Sequence, residues 1–122
     1  MYDHIGLHVK DLAASSRFYG AVLAPLGLVA DASGSGFGPA GAPALWLYEG
    51  SKGGGKNEAG THVAFRAATR VAVDRFHAEG LRAGGRDNGA PGLRIDYSPT
   101  YYAAFLIDPD GNNVEAVCME PR

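Results

Sequence analysis

A chain of 122 residues holds one hydrophobic core and little more, and 46% hydrophobic with 20% charged residues is the balance of an ordinary globular protein. A net charge of −2 gives neither nucleic acid nor an anionic membrane an electrostatic footing, and no apolar run approaches the roughly 18 residues of a membrane span. Cys118 is the single cysteine, so an internal disulfide is excluded, and with a strand-like start in place of a leader the expected setting is the cytoplasm.

Residues 2–9 read as a strand with Ile5, Leu7 and Val9 on one face and His4, Gly6 and His8 on the other. Asp11 is an N-cap for a helix over 12–23, whose apolar stripe is Leu12, Phe18, Val22 and Leu23 and which Pro25 and Gly27 stop. A short strand over 28–30 and a Gly/Ser/Pro-rich loop or weak hairpin over 33–43 lead to a strand over 44–48. Residues 50–60 read as a linker. The second half opens like the first: a strand over 61–67, Thr69 as N-cap, and a helix to about residue 83 with Val73, Phe76 and Leu81 inward and His77 toward solvent. Residues 86–99 are rich in Gly, Pro, Asn and Asp and predict at most a short strand over 93–97. Two apolar runs, 101–107 and 113–118, flank Asp108-Pro109-Asp110-Gly111, a hairpin signature in which Pro presets φ and Gly supplies the positive φ that closes the turn.

The two halves superimpose. A displacement of 58 residues lays His62 on His4, Val63 on Ile5, Phe65 on Leu7, Thr69 on Asp11, Arg75-Phe76 on Arg17-Phe18 and Gly85 on Gly27. A displacement of 69 lays Glu115 on Trp46. Glu115 itself is out of place in mid-strand, because an unpaired charge there is costly. It calls for a cation, a hydrogen-bond donor or water, and a salt bridge to Arg66 or Arg94 is one answer. Another is a metal ion. His4, His62 and Glu115 share the strand faces turned away from the helices, and two imidazoles with one carboxylate suit a divalent metal with open coordination positions. Strand-end histidines bonded to backbone remain the plainer alternative. Strand alternation sends one of Tyr101 and Tyr102 to the helix-free face, and Tyr101 is preferred.

Three segments in order, Asp3-His4-Ile5-Gly6-Leu7-His8-Val9 with Arg17-Phe18-Tyr19, then Gly60-Thr61-His62-Val63-Ala64-Phe65, then Asp108-Pro109-Asp110-Gly111-Asn112-Asn113-Val114-Glu115, resemble the vicinal oxygen chelate superfamily. That superfamily includes glyoxalase I, extradiol dioxygenases and fosfomycin-resistance thiol transferases. The resemblance implies an α+β fold in which two βαβββ modules form a curved mixed sheet around a cavity. It implies one domain over 1–122, with module one at about 1–50, a linker at about 50–60 and module two at about 61–122. It implies a homodimer, and a metal held by His4, His62 and Glu115. Zinc or nickel would point to isomerisation, iron to oxygenation and manganese to thiol transfer. Where glyoxalase I has a fourth ligand this chain has Trp46, and an indole offers no acceptor. The implied function is a glyoxalase-like metal-dependent enzyme acting on a small oxygen-bearing substrate, either a lyase or isomerase, a dioxygenase or a thiol transferase. Glu115 is the catalytic candidate, and His8, Trp46, Tyr48, Arg66 and Tyr101 are the candidate substrate contacts. The alternative is a small-molecule binding protein of the bleomycin-resistance type with no catalytic metal, in which Trp46, Tyr48 and Tyr101 stack on a flat ligand. A cationic drug, however, favours a more acidic chain.

Overall fold

The computed structural model describes residues 1–50 and 60–121; most of the expected linker lies outside them. The first half comprises β1 (Ile5–Val9), α1 (Leu12–Leu23), β2 (Val29–Ala30), β3 (Gly36–Gly38) and β4 (Leu45–Glu49). The second comprises β5 (His62–Arg66), α2 (Arg70–Arg82), β6 (Arg86–Leu93), β7 (Tyr102–Ile107) and β8 (Asn113–Cys118). Both helices start at side-chain caps: Asp11 accepts from the Ala14 amide at 3.1 Å and Thr69 from the Ala72 amide at 3.1 Å. Each cap satisfies one of the amides that a helix start leaves without a partner. One 3₁₀ turn, Ala24–Leu26, follows α1 and ends at Gly27, whose φ of 79° suits a residue without Cβ.

Each half is a βαβββ module with a mixed four-stranded sheet, in the orders β1-β4-β3-β2 and β5-β8-β7-β6. The first and last strands of each module pair in parallel, which requires the helical crossover between them. The repeat read in the sequence reappears as strand register. Gly6 pairs with Trp46 in the first module, and Ala64 pairs with Glu115 in the second.

The helices lie between the sheets and the core forms around them, with Phe18, Tyr19, Val22, Val73, Phe76 and Leu106 all fully buried. Each such side chain contributes about 1.5–3 kcal/mol of hydrophobic stabilisation. Gly80 permits the closest approach: a Cβ there would collide with Leu106 and sit 3.0 Å from Val22. Gly80 therefore faces inward where Leu81 was expected, and Leu81 is 44% exposed. The α2 azimuth is set by where two surfaces come closest, and a bulky residue does not fit there. His77 is likewise not turned to solvent; its side chain is largely covered and bonds Asp87 of β6 at 2.9 Å.

The hairpin Asp108-Pro109-Asp110-Gly111 also joins the modules. Asp110 accepts from the Lys10 amide at 2.9 Å and the Ser15 hydroxyl at 3.1 Å, while buried Asp108 accepts from the Tyr19 hydroxyl at 2.5 Å. Burial first, then the Asp108 charge, holds the Tyr19 phenol far above the ordinary tyrosine value. The remaining correction is β6, an eight-residue strand where the composition predicted mostly loop. It pairs with β7 through two register shifts, around Gly89. Main-chain bonding to a regular neighbour holds this Gly- and Pro-containing strand without any side-chain alternation.

Candidate functional site

On the second sheet the residues opposite the helix layer are His62, Ala64 and Arg66 of β5, Glu115 of β8 and Phe105 of β7, continued by Tyr101 just before β7. Glu115 is 2% exposed. Its carboxylate is engaged on both sides: His62 Nε2 lies 3.0 Å from Oε1, and the Tyr101 hydroxyl donates to Oε2. The other imidazole nitrogen, Nδ1, lies 3.1 Å from the Asn113 carbonyl. The imidazole bridges the Glu115 carboxylate and the Asn113 main chain, which fixes the orientation of its ring. The buried acid thus finds its partners in an imidazole and a phenol, and neither Arg66 nor Arg94 bridges it. Burial, reinforced by the hydrogen bond to Glu115 and by its charge, pushes the Tyr101 phenol up to about 12.

Phe105 walls this cluster. It pairs directly with Glu115 across β7 and β8, and its ring lies near-parallel to the His62 ring with centroids 6.4 Å apart. Tyr97 packs edge-on against Tyr101 at 4.9 Å. Tyr102 points the other way, donating to Asp74 of α2 at 2.6 Å beneath the Arg70 guanidinium. Phe105 and Tyr97 were not singled out from the sequence. Phe105 was within reach, since period-two alternation from Tyr101 places it on the same face.

The other predicted residues lie on the first module. His4 sits just before β1, half exposed, with Nδ1 2.6 Å from the carboxylate of exposed Asp3. His8 and Tyr48 are register partners whose rings lie 5.9 Å apart. The Tyr48 ring lies over Gly6 and the Trp46 ring over Gly36, where a Cβ would stand 2.6 Å and 2.5 Å from the rings. Arg66 is exposed at the end of β5. The structure therefore brings together His62, Glu115 and Tyr101, and leaves His4, His8, Trp46 and Tyr48 on a separate sheet. Among the described residues of one chain no group of three or more His, Cys, Asp or Glu side chains is placed to hold a metal ion. Among the described residues of one chain, His62 and Glu115 come together as two potential metal donors and His4 does not join them. A cavity of about 390 Å³ at the far edge of the first sheet, lined by Val29, Asp31, Pro39 and Pro43 among others, contains none of these residues. No helix of the described residues is long and apolar enough to cross a membrane.

Two βαβββ modules with parallel outer strands define a protein class, and the comparisons narrow it. The profile of the glyoxalase/bleomycin resistance protein/dioxygenase superfamily matches residues 2–116, nearly the whole chain. A glyoxalase/bleomycin resistance protein from Albidiferax ferrireducens is 31% identical, with a TM-score of 0.82 over 97% of this chain and 98% of its own. The chain belongs to this superfamily. More distant in sequence, and similar in fold alone, are two further structures. A glyoxalase/dioxygenase from Nostoc punctiforme shares 24% identity and a TM-score of 0.68, over 97% of this chain and 90% of that one. A lactoylglutathione lyase from Agrobacterium tumefaciens shares 20% identity and a TM-score of 0.61, over 94% and 90%. No curated protein matches the chain significantly.

Proposed function

We propose that the chain is a small-molecule binding protein of the bleomycin-resistance type, which holds its ligand on the helix-free face of the second sheet without a catalytic metal. The observation that supports this most is the state of Glu115, whose two oxygens are engaged by His62 and Tyr101. A buried carboxylate provided with donors in this way has no need of a cation. His62, Phe105 and Tyr101 then present an amphipathic wall, apolar in area with a few fixed polar atoms, as small-molecule sites commonly are. Superfamily membership and the kinship with the Albidiferax ferrireducens protein support the same reading.

A second reading has its own support. His62 and Glu115 already meet at 3.0 Å, and the matching strand registers of the two modules put His4 at the place in module one that His62 takes in module two. In a homodimer His4 of one copy would join His62 and Glu115 of the other to hold zinc, nickel, iron or manganese. The metal would supply Lewis acidity toward a small oxygen-bearing substrate, making the protein a lyase or isomerase, a dioxygenase or a thiol transferase. Trp46 and Tyr48 would then wall the shared site, with His8 beside them.

The deciding measurement is metal content of tag-free protein by mass spectrometry, beside Glu115→Ala, before and after incubation with zinc, nickel, iron and manganese. The binding-protein reading expects far less than one metal per chain, unchanged by the substitution. Near-stoichiometric metal that is lost with Glu115→Ala overturns it and establishes the metal reading.

A further inference from the structure

Beside the Glu115 cluster is a cation, Arg94, with no acid partner among the described residues. Arg94 follows β6, and its amide bonds the Tyr101 carbonyl at 2.7 Å, which carries the β6–β7 pairing up to the site. Its guanidinium folds back along its own strand. Nη1 donates to the Gly92 carbonyl at 2.9 Å, Nη2 donates to the Ala90 carbonyl at 2.7 Å, and the charge sits 5.3 Å above the centre of the Phe105 ring. The opening it occupies is made by two glycines. A Cβ at Gly89 would stand 3.2 Å from Nη2, and one at Gly92 would stand 3.2 Å from Nη1. Among the described residues Arg94 makes no salt bridge, and it is half-buried.

The charge is therefore fixed in place, partly desolvated and, among the described residues, in no salt bridge. A guanidinium has five N–H donors, and backbone carbonyls take only two of these. The planar fork suits carboxylate and phosphate oxygens, and holding it rigid in advance lowers the entropic cost of receiving one. A lesser role is to staple the bulged part of β6, for which any donor to the two carbonyls would serve. Stapling leaves the three remaining donors and the net positive charge unused.

We propose that the ligand of this face carries an anionic group, a carboxylate or a phosphate, which docks on Arg94 while its body lies along Phe105, Tyr101 and Tyr97. This rests on the ligand-binding reading above and deepens it. It also sets the chain apart from a binder of cationic drugs, since the guanidinium fixed over the Phe105 ring has the sign that repels them.

The test uses four probes that share one ring and differ in charge: benzoate, phenyl phosphate, benzyl alcohol and benzylamine. Binding is followed by amide and Arg94 Nε–H chemical shifts on the whole chain. The expected result is that an anionic probe binds about tenfold more tightly than benzyl alcohol, and benzylamine more weakly still. The better of benzoate and phenyl phosphate identifies the group. Arg94→Met should bring anion and alcohol to within about twofold, and Arg94→Lys should keep part of the preference, because charge survives while the fork is lost. Thermal unfolding of both variants separates this from stapling, which alters stability without altering charge preference. Equal binding of alcohol and anion at the same residues, or an anion preference that survives Arg94→Met, overturns the proposal and leaves the ligand-binding face standing. Absence of shifts at Tyr101, Phe105 and Glu115 with every probe overturns both.

Discussion

The two modules share a backbone plan and put opposite chemistry on it. Trp46 in β4 and Glu115 in β8 hold the same place in the parallel ladder with the module's first strand, Trp46 beside Gly6 of β1 and Glu115 beside Ala64 of β5. What differs is the residue across the antiparallel pairing: Gly36 faces Trp46, and Phe105 faces Glu115. Where the neighbour has no side chain, an indole lies flat over the gap, and Tyr48 repeats the arrangement over Gly6. Where the neighbour is Phe105, the central residue is a short acid enclosed by Phe105, His62 and Tyr101. The first module thus shows an aromatic surface, and the second an enclosed polar cluster. Duplicated main-chain geometry does not carry chemistry with it; the pairing of large with small across strands does.

Exchanging the central residues breaks this comparison most severely. Glu115→Trp forces an indole against Phe105 and leaves His62 and Tyr101 without their acceptor, so a loss of about 4 kcal/mol or more is expected in urea unfolding. Trp46→Glu, over the open Gly36, should lose only about 1–2 kcal/mol. Equal losses would mean that the neighbour across the strand does not set the difference. Next in size, Gly36→Ala places a Cβ 2.5 Å from the Trp46 ring and should destabilise by about 1–3 kcal/mol. Adding Trp46→Ala to it should recover part of that loss, a coupling that a double-mutant cycle measures directly.

The smallest effect sharpens the polar side. Tyr101→Phe removes one of the two donors to Glu115 and should lose about 1 kcal/mol near neutral pH. Its pH dependence has a definite sign. The folded-state phenol titrates near 12, above the ordinary value of 10, so its stabilisation is fully present below about 10 and is lost as pH rises through 12. The variant should therefore show a flatter alkaline limb of stability, and its ultraviolet phenolate titration should lack the step near 12.

Much of this organisation is legible in the chain. The caps Asp11 and Thr69, the turn at Asp108-Pro109-Asp110-Gly111 and the period-two faces of β1, β5 and β8 are local signals, and the elements follow them. The displacements of 58 and 69 residues reappear as the pairs Gly6 with Trp46 and Ala64 with Glu115. Other features escape such a reading. The β6 strand carries Gly and Pro, and its order comes from the β7 main chain, so no side-chain pattern announces it. Leu81 fits the apolar stripe of α2, yet Gly80 takes the inward place because Leu106 and Val22 leave no room for more. His77 looks like a surface residue until β6 brings Asp87 to it. Nor does any local pattern say that Asp108 and Asp110 grip Tyr19, Ser15 and the Lys10 amide, or that Arg94 folds onto Phe105.

The strand-and-helix opening of each half, the repeat between the halves and the closing hairpin are set by the chain alone, because hydrophobic period, caps and turn residues act over a few neighbouring positions; the superfamily is implied by the resemblance of three motifs in order. Tertiary structure decided which polar side chains meet: His62 and Tyr101 on Glu115, with His4 on another sheet. Such meetings depend on how whole strands and modules are placed relative to one another, and that placement is set by packing between residues far apart in the chain.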